Sequence, residues 1–384
     1  MGSAQAFAVR LGAFYTALFL AFGVQLPFFP LWLKDRGLDP AVIGLVLSIP
    51  MVVRVVAIPL ASRYVDRREA ARHTLAAALT VTAIGYACAA FADTTLLLVL
   101  ACAVAATAYA PVTSLTDAYA LKGLAAHGKP YGPVRLWGSL AFLAGMFAAG
   151  AAIDIMPASR LIWLMVGGMG LAALTAMLLK PSSGTGRVDP GALRPASFWR
   201  QPLFIAVLAA ASLIQGSHAL YYGFSAVAWR NAGFEGSTVA ALWALGVIAE
   251  ILLFALQSRF PGWLTAPRLL MIGAAGAVLR WSLMALDPPA LLLPVLQLLH
   301  ALSFGATHLG AVTYLAQLAP PGYSARAQGY LAMALGLGSA LAMSMAGALY
   351  GALGAGAYAA MALMAAAGGA GAFVAQRLER GVTE

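Results

Sequence analysis

The chain has 384 residues, of which 62% are hydrophobic and only 9% charged, with a formal net charge of +10. A soluble domain carries about 25% charged residues, so this composition excludes a water-facing globule and makes lipid the solvent for most of the surface. Two cysteines, Cys88 and Cys102, both inside apolar segments, exclude a disulfide framework or a thiolate zinc site.

A helix that spans lipid needs about 20 mostly apolar residues. Such runs fall at 7–33, 40–61, 73–92, 94–121, 133–154, 159–179, 202–229, 237–257, 268–286, 289–318, 323–350 and 355–376, which makes twelve spans. The first run is too long for the apolar region of a signal peptide and shows no clear cleavage site, so a retained helix is expected. Pro27 and Pro30 in span 1, and Pro50 and Pro59 in span 2, are expected bends rather than breaks. The longest polar connection, rich in Ser, Gly and Pro, divides the spans six and six. The expected organisation is an all-α integral membrane protein: bundles at 1–180 and 202–384, and a cytoplasmic linker at 181–201.

With an internal N-terminus, 17 of the 23 Lys and Arg residues fall at or beyond the cytoplasmic ends of the spans, four on the other side, and two, Arg54 and Arg280, deep inside spans. That bias is a strong positive-inside signal. It explains the basic charge without a nucleic-acid partner. An offset of 196 residues relates the halves: Gly37 falls on Gly233, Ser62 on Ser258 and Arg63 on Arg259. Parallel halves of this kind are one transporter plan. The same offset places Arg54 of span 2 on Glu250 of span 8.

An ionisable group at mid-bilayer costs roughly 2.5–3.5 kcal/mol even on insertion scales. This chain nevertheless keeps Arg54, Asp117, Arg135, Glu250 and Arg280, joined by His218, His300 and His308. Such groups are expected to face a polar interior. Asp117 and Arg135 are either an ion pair fastening spans 4 and 5, or an anion-binding arginine with its resting counter-ion. Glu250 is either a permanent bridge to Arg280 or a proton carrier, since a carboxylate withdrawn from water accepts protons readily. Arg54 is a packing or gating charge, or a substrate contact. His300 and His308 share one helix face with Phe304 between them. The histidines are satisfied packing residues or part of a cavity wall. Tyr221, Tyr222 and Phe224, with Trp137, Phe142, Phe28 and Phe29, are core or interfacial aromatics, or the lining for an apolar ring. No G-x-x-x-x-G-K-[ST] run is present, which disfavours ATP-driven pumping. No plausible triad or metal-ligand spacing is present either. No cofactor and no enzymatic activity are expected, and the energy source should be an ion gradient or the substrate gradient.

Twelve spans in two halves resemble the major facilitator superfamily. The stretch from Ser62 to Arg68, with Asp66 and Arg67, resembles that superfamily's G-x-x-x-D-R loop motif, with Ser62 in place of the glycine. Pro27–Leu33 (PFFPLWL) resembles the span 1 signature of the oligosaccharide:proton symporters, the lactose permease group. The runs Val134–Ser139 (VRLWGS), His218–Ser225 (HALYYGFS) and Leu242–Glu250 (LWALGVIAE) are similar to the phenylpropionate permease family. The resemblance implies a substrate-binding role for Asp117 and Arg135, a link between substrate and proton at Glu250, and coupling positions at Arg280 and His300. It assigns Asp66 and Arg67 a gating or structural role. Three departures point away from sugars. Ser303 stands where the symporters carry a proton-bearing glutamate, Phe142 stands at the sugar-stacking tryptophan, and span 11 has no charge.

The expected function is therefore proton-coupled uptake of a small aromatic carboxylate by alternating access. His218, Tyr221, Tyr222 and Phe142 would join the substrate site, and His308 the proton path. The expected partners are substrate, protons and lipid, with the chain a monomer in the cell inner membrane and both termini cytoplasmic. The alternatives are an oligosaccharide or nucleoside symporter, a drug or metabolite exporter, and a non-transporting sensor or scaffold.

Overall fold

A computed structural model describes residues 3–68, 70–180, 197–320 and 323–383. Every regular element among them is helical, as lipid requires of an open chain: without water, each backbone N–H and C=O must be paired inside its own segment. In chain order the helices are α1 (Ser3–Asp35), α2 (Pro40–Arg68), α3 (Ala71–Phe91), α4 (Thr95–Tyr109), α5 (Val112–Ala126), α6 (Tyr131–Ile155), α7 (Leu161–Ala176), α8 (Pro202–Gly216), α9 (Ala219–Asn231), α10 (Gly236–Leu256), α11 (Ala266–Ala285), α12 (Leu293–Leu298), α13 (Thr307–Leu318), α14 (Ser324–Leu353) and α15 (Tyr358–Thr383).

Three spans are broken helices: α4 with α5, α8 with α9, and α12 with α13. Eleven stretches of the described residues are long and apolar enough to cross a membrane. The last, Arg326–Glu379, runs for 54 residues. It holds both α14 and α15, parted at Gly354 with φ +54°. The architecture is thus twelve transmembrane helices in two pseudo-symmetric six-helix bundles. α1 and α2 run unbroken through their prolines. Of the expected linker, residues 181–196 lie outside the described residues, and Ser197–Arg200 form one 3-10 turn.

The offset of 196 is written into the backbone. Gly37 (φ +79°) and Gly233 (φ +87°) both close a helix in the left-handed region, where a side chain would be strained. Their turns carry the same bonds. Gly37 N–H donates to the Lys34 carbonyl and Leu38 N–H to that of Leu33; Gly233 donates to Arg230 and Phe234 to Trp229. The next helices start alike, Ile43 donating to Asp39 and Val239 to Glu235. At the same offset, the break in span 4 at Ala110–Pro111 meets the end of a π-turn in span 10, Ala301–Ala306.

The chain forms two compact units, Met1–Gly186 with Ser225–Ala241, and Arg187–Phe224 with Leu242–Glu384. In the first, α1 and α6 cross on glycines. A Cβ on Gly23 would collide with the Phe142 carbonyl, and one on Gly145 with that of Leu20, so only small residues let the backbones meet. The outer turn between α9 and α10 is held in this unit by Asp154, at the end of α6. Its carboxylate accepts from Gly236 N (2.6 Å), Ser237 N (3.0 Å) and Arg230 Nη1 (3.1 Å), occupying donors that the first turn of α10 leaves free. In the second unit, Phe198, Phe204, Leu270, Tyr314, Leu331 and their neighbours form a buried apolar cluster.

Candidate functional site

In the first unit, Tyr15, Phe19 and Phe22 recur at helical spacing on α1. Tyr15 stacks on Phe19 (5.9 Å between centroids), Phe19 meets Phe22 edge-on (6.1 Å), and Phe22 packs on Phe142 (5.6 Å) and Tyr109 (6.3 Å). Arg135, near the start of α6, lies at one end of this ladder, its Cζ 4.1 Å from the Phe19 centroid and 5.7 Å from that of Tyr15. Gly138 makes room for it, since a Cβ there would sit 3.0 Å from both Arg135 Nη1 and Phe19 Cδ2.

Asp117, on α5, is not the counter-ion of Arg135. Its Oδ1 accepts from the Tyr15 hydroxyl (2.6 Å) and from the Tyr131 hydroxyl (2.9 Å). The expectation of an Asp117–Arg135 ion pair is corrected on this point: the two phenols satisfy the carboxylate, and the pair does not form. The only hydrogen bond that Arg135 makes among the described residues is a long one, 3.4 Å, to Ser139 Oγ. Both residues are half-buried.

In the second unit a polar cluster surrounds a fully buried guanidinium. Arg280, on α11, donates to Gln297 Oε1 (2.7 Å), His300 Nδ1 (3.0 Å) and Ser303 Oγ (3.4 Å). Its Cζ lies 4.5 Å from the ring centroids of Tyr221 and of Trp281. Arginine has donors only, so His300 Nδ1 must accept. The ring proton therefore sits on Nε2, which faces Glu250 Oε2 at 3.4 Å. His300 stands between Glu250 and Arg280, so the expected alternative of a direct bridge between them is not realised.

His218 sits at the break of span 7, where helix carbonyls are left without partners. Its Nδ1 faces the Ile214 and Gln215 carbonyls at 3.3 and 3.2 Å, and its Nε2 faces Ser303 Oγ at 3.1 Å. This pattern places the proton on Nδ1 and lets Nε2 accept from the serine hydroxyl, which itself accepts from Arg280. Two neutral imidazoles and Gln297 surround one buried cation; among the described residues only its Nε is left without an acceptor. The π-turn at Ala301–Ala306 carries Ser303 and follows His300 directly, and such turns concentrate at functional sites.

Of the other expected residues, some lie beside these clusters and some do not. Phe304 stacks between His300 (5.1 Å) and His308 (6.0 Å), so the two histidines do share one stripe. Tyr221 stacks on Trp243 (4.7 Å), and Tyr222 lies 5.8 Å from both His218 and Trp243. Trp137 is exposed, whereas Phe28 is fully buried and Phe29 packs on Trp32 and Tyr86. Arg54 projects from α2, exposed, with no hydrogen bond or ion pair among the described residues. The side chains of Asp66 and Arg67 lie outside the described residues. Sequence reasoning passed over Tyr15, Phe19, Phe22 and Gln297. The i, i+4, i+7 aromatic spacing in span 1 was the available signal for the first three.

A buried cation, ionisable groups held inside spans and a two-fold repeat of six helices define an integral membrane transporter on the major facilitator plan. The MFS_1 like family profile matches residues 8–360, and the chain belongs to that family. It is 33% identical over 363 residues to the probable 3-phenylpropionic acid transporter of Escherichia coli (strain K12), covering 91% of this chain and 93% of that protein. It is 28% identical over 339 residues to the maltose permease of Geobacillus stearothermophilus, covering 85% and 83%. The nucleoside transporter NupG shares the fold with a TM-score of 0.80 at 18% identity, over 97% of this chain and 98% of that one. The chain is thus a secondary transporter and not an enzyme.

Proposed function

We propose that this transporter couples inward movement of protons to uptake of a small aromatic carboxylate, by alternating access. The observation that carries the substrate reading is Arg135, a guanidinium with no acidic partner among the described residues, at the end of the Tyr15–Phe19–Phe22–Phe142 ladder. A carboxylate suits the guanidinium fork, and a ring of about phenyl size suits the aromatic faces beyond it. The name of the 33%-identical relative, a probable 3-phenylpropionic acid transporter, points the same way.

Proton coupling rests on Glu250. The acid lies against His300, which in turn holds the buried Arg280. Protonating Glu250 removes the acceptor that orients the imidazole, and so loosens the cluster around Arg280. A proton cancelling one buried charge while substrate cancels another lowers the cost of reorientation. In this reading the protein works as a monomer in the cell inner membrane; the Lys and Arg bias supports the cytoplasmic placement of both termini.

Uptake of labelled 3-phenylpropionate into proteoliposomes, with and without a protonophore, tests the reading. Accumulation should follow an imposed pH gradient. In Glu250→Gln it should be lost while substrate counterflow persists. Counterflow of maltose or a nucleoside in preference to the acid, or full accumulation by Glu250→Gln, would sink it.

A further inference from the structure

Tyr15 touches both members of the charged couple in the first unit. Its hydroxyl donates to Asp117 Oδ1 at 2.6 Å, while its ring lies 5.7 Å from the Arg135 Cζ. Tyr131 adds a second donor to the same oxygen at 2.9 Å, and the two hydroxyls are 3.5 Å apart. Tyr15 is fully buried and stacked on Phe19, which itself carries the Arg135 guanidinium on its face. Asp117 and Arg135, an acid and a base on successive helices that both meet Tyr15, form no ion pair, although a charge-assisted fork is the strongest bond either can make. Here the acid is satisfied by phenols and the base by aromatic faces.

We infer that Tyr15 and Tyr131 are positioning residues that hold Asp117 off Arg135, and that this separation selects an anionic substrate. With the phenols in place, Arg135 keeps its N–H donors for an incoming carboxylate, and no internal carboxylate has to be displaced. Without them, Asp117 turns onto Arg135. The site then becomes a neutral polar pair, better matched to hydroxyl or amide groups than to an acid. The selectivity part of this inference rests on the reading of Arg135 as the carboxylate receptor; the separation of the charges does not.

The test uses the purified full-length protein and four forms: wild type, Tyr131→Phe, Tyr15→Phe with Tyr131→Phe, and that double variant carrying Asp117→Asn. The first readout needs no substrate. Phenylglyoxal modification of Arg135, followed by peptide mass spectrometry, reports whether its guanidinium is paired. Modification should slow several-fold in the double variant and recover in the triple. The second readout is binding of 3-phenylpropionate against its uncharged amide. Affinity for the acid should fall about ten- to hundredfold in the double variant, the range that charge-assisted hydrogen bonds carry. It should return in the triple, while the amide changes little. Recovery on removing the Asp117 charge is not something a merely structural tyrosine would produce.

Equal labelling rates in all four forms would overturn the inference. So would a double variant whose lost affinity Asp117→Asn does not restore. Should the double variant fail to fold, Tyr131→Phe must show the same direction at smaller size, and no change there counts against the idea. Labelling that behaves as expected, with no form binding the acid, would uphold the separation of charges and refute the substrate proposed above.

Discussion

Replacing His300 by alanine removes the acceptor for one N–H of the buried Arg280 and the donor that faces Glu250. The first loss is the larger. Hydrogen bonds to charged groups contribute about 1.5–3 kcal/mol, and Arg280 is fully buried with no carboxylate paired to it among the described residues. Its Nε already lacks a partner among the described residues, so a second unpaired donor has nowhere to turn. The contact to Glu250, at 3.4 Å, is longer and contributes less to stability than the bond to Arg280, though it orients the ring. The net cost should be about 2 kcal/mol, a fall in thermal midpoint of about 4–8 °C for a bundle of this size. His300→Gln is the control. Its amide oxygen can accept from Arg280 while its NH2 donates toward Glu250, as the neutral imidazole does. Thermal unfolding in detergent should therefore rank wild type and His300→Gln together, well above His300→Ala. Equal midpoints for alanine and glutamine would show that the imidazole is not held as argued.

Other outcomes follow from single contacts. Gly273→Ala would set a methyl onto Thr307 Oγ1 and 3.0 Å from its backbone nitrogen, at a cost of about 1–3 kcal/mol; Thr307→Ala in the same chain should recover part of it in a thermal double-mutant cycle. Asp154→Ala should cost about 1 kcal/mol through loss of the cap on α10, with little from its half-exposed pair to Arg230; faster hydrogen exchange at Gly236 and Ser237 is the direct measure. Gly138→Val should push the Arg135 guanidinium off Phe19 and weaken binding of an aromatic acid about tenfold, within the range of one cation–π contact, with some loss of thermal midpoint from crowding the Phe19 ring; titration calorimetry reads the change, and unaltered affinity would detach Arg135 from the substrate.

The solvent, the number of spans and the repeat are all legible in the amino-acid order. These are readable because lipid imposes one rule on every helix: length and apolarity are set locally, whatever a helix packs against. The offset of 196 was legible for the same reason, since the left-handed glycines at 37 and 233 are requirements of a local turn. Arg135, Glu250, Arg280 and His300 were legible as residues, because a charge in a span is costly wherever it ends up. Their partners were not. That Asp117 would bond two phenols rather than Arg135, and that His300 would stand between Glu250 and Arg280, depended on which groups converge from separate helices. In the first case those are α1, α5 and α6, and in the second α10, α11 and the residue just before the π-turn of span 10. Hydrogen bonds reach about 3 Å and spacing along one helix says nothing of its neighbour's rotation, so only the packed bundle decides who meets whom.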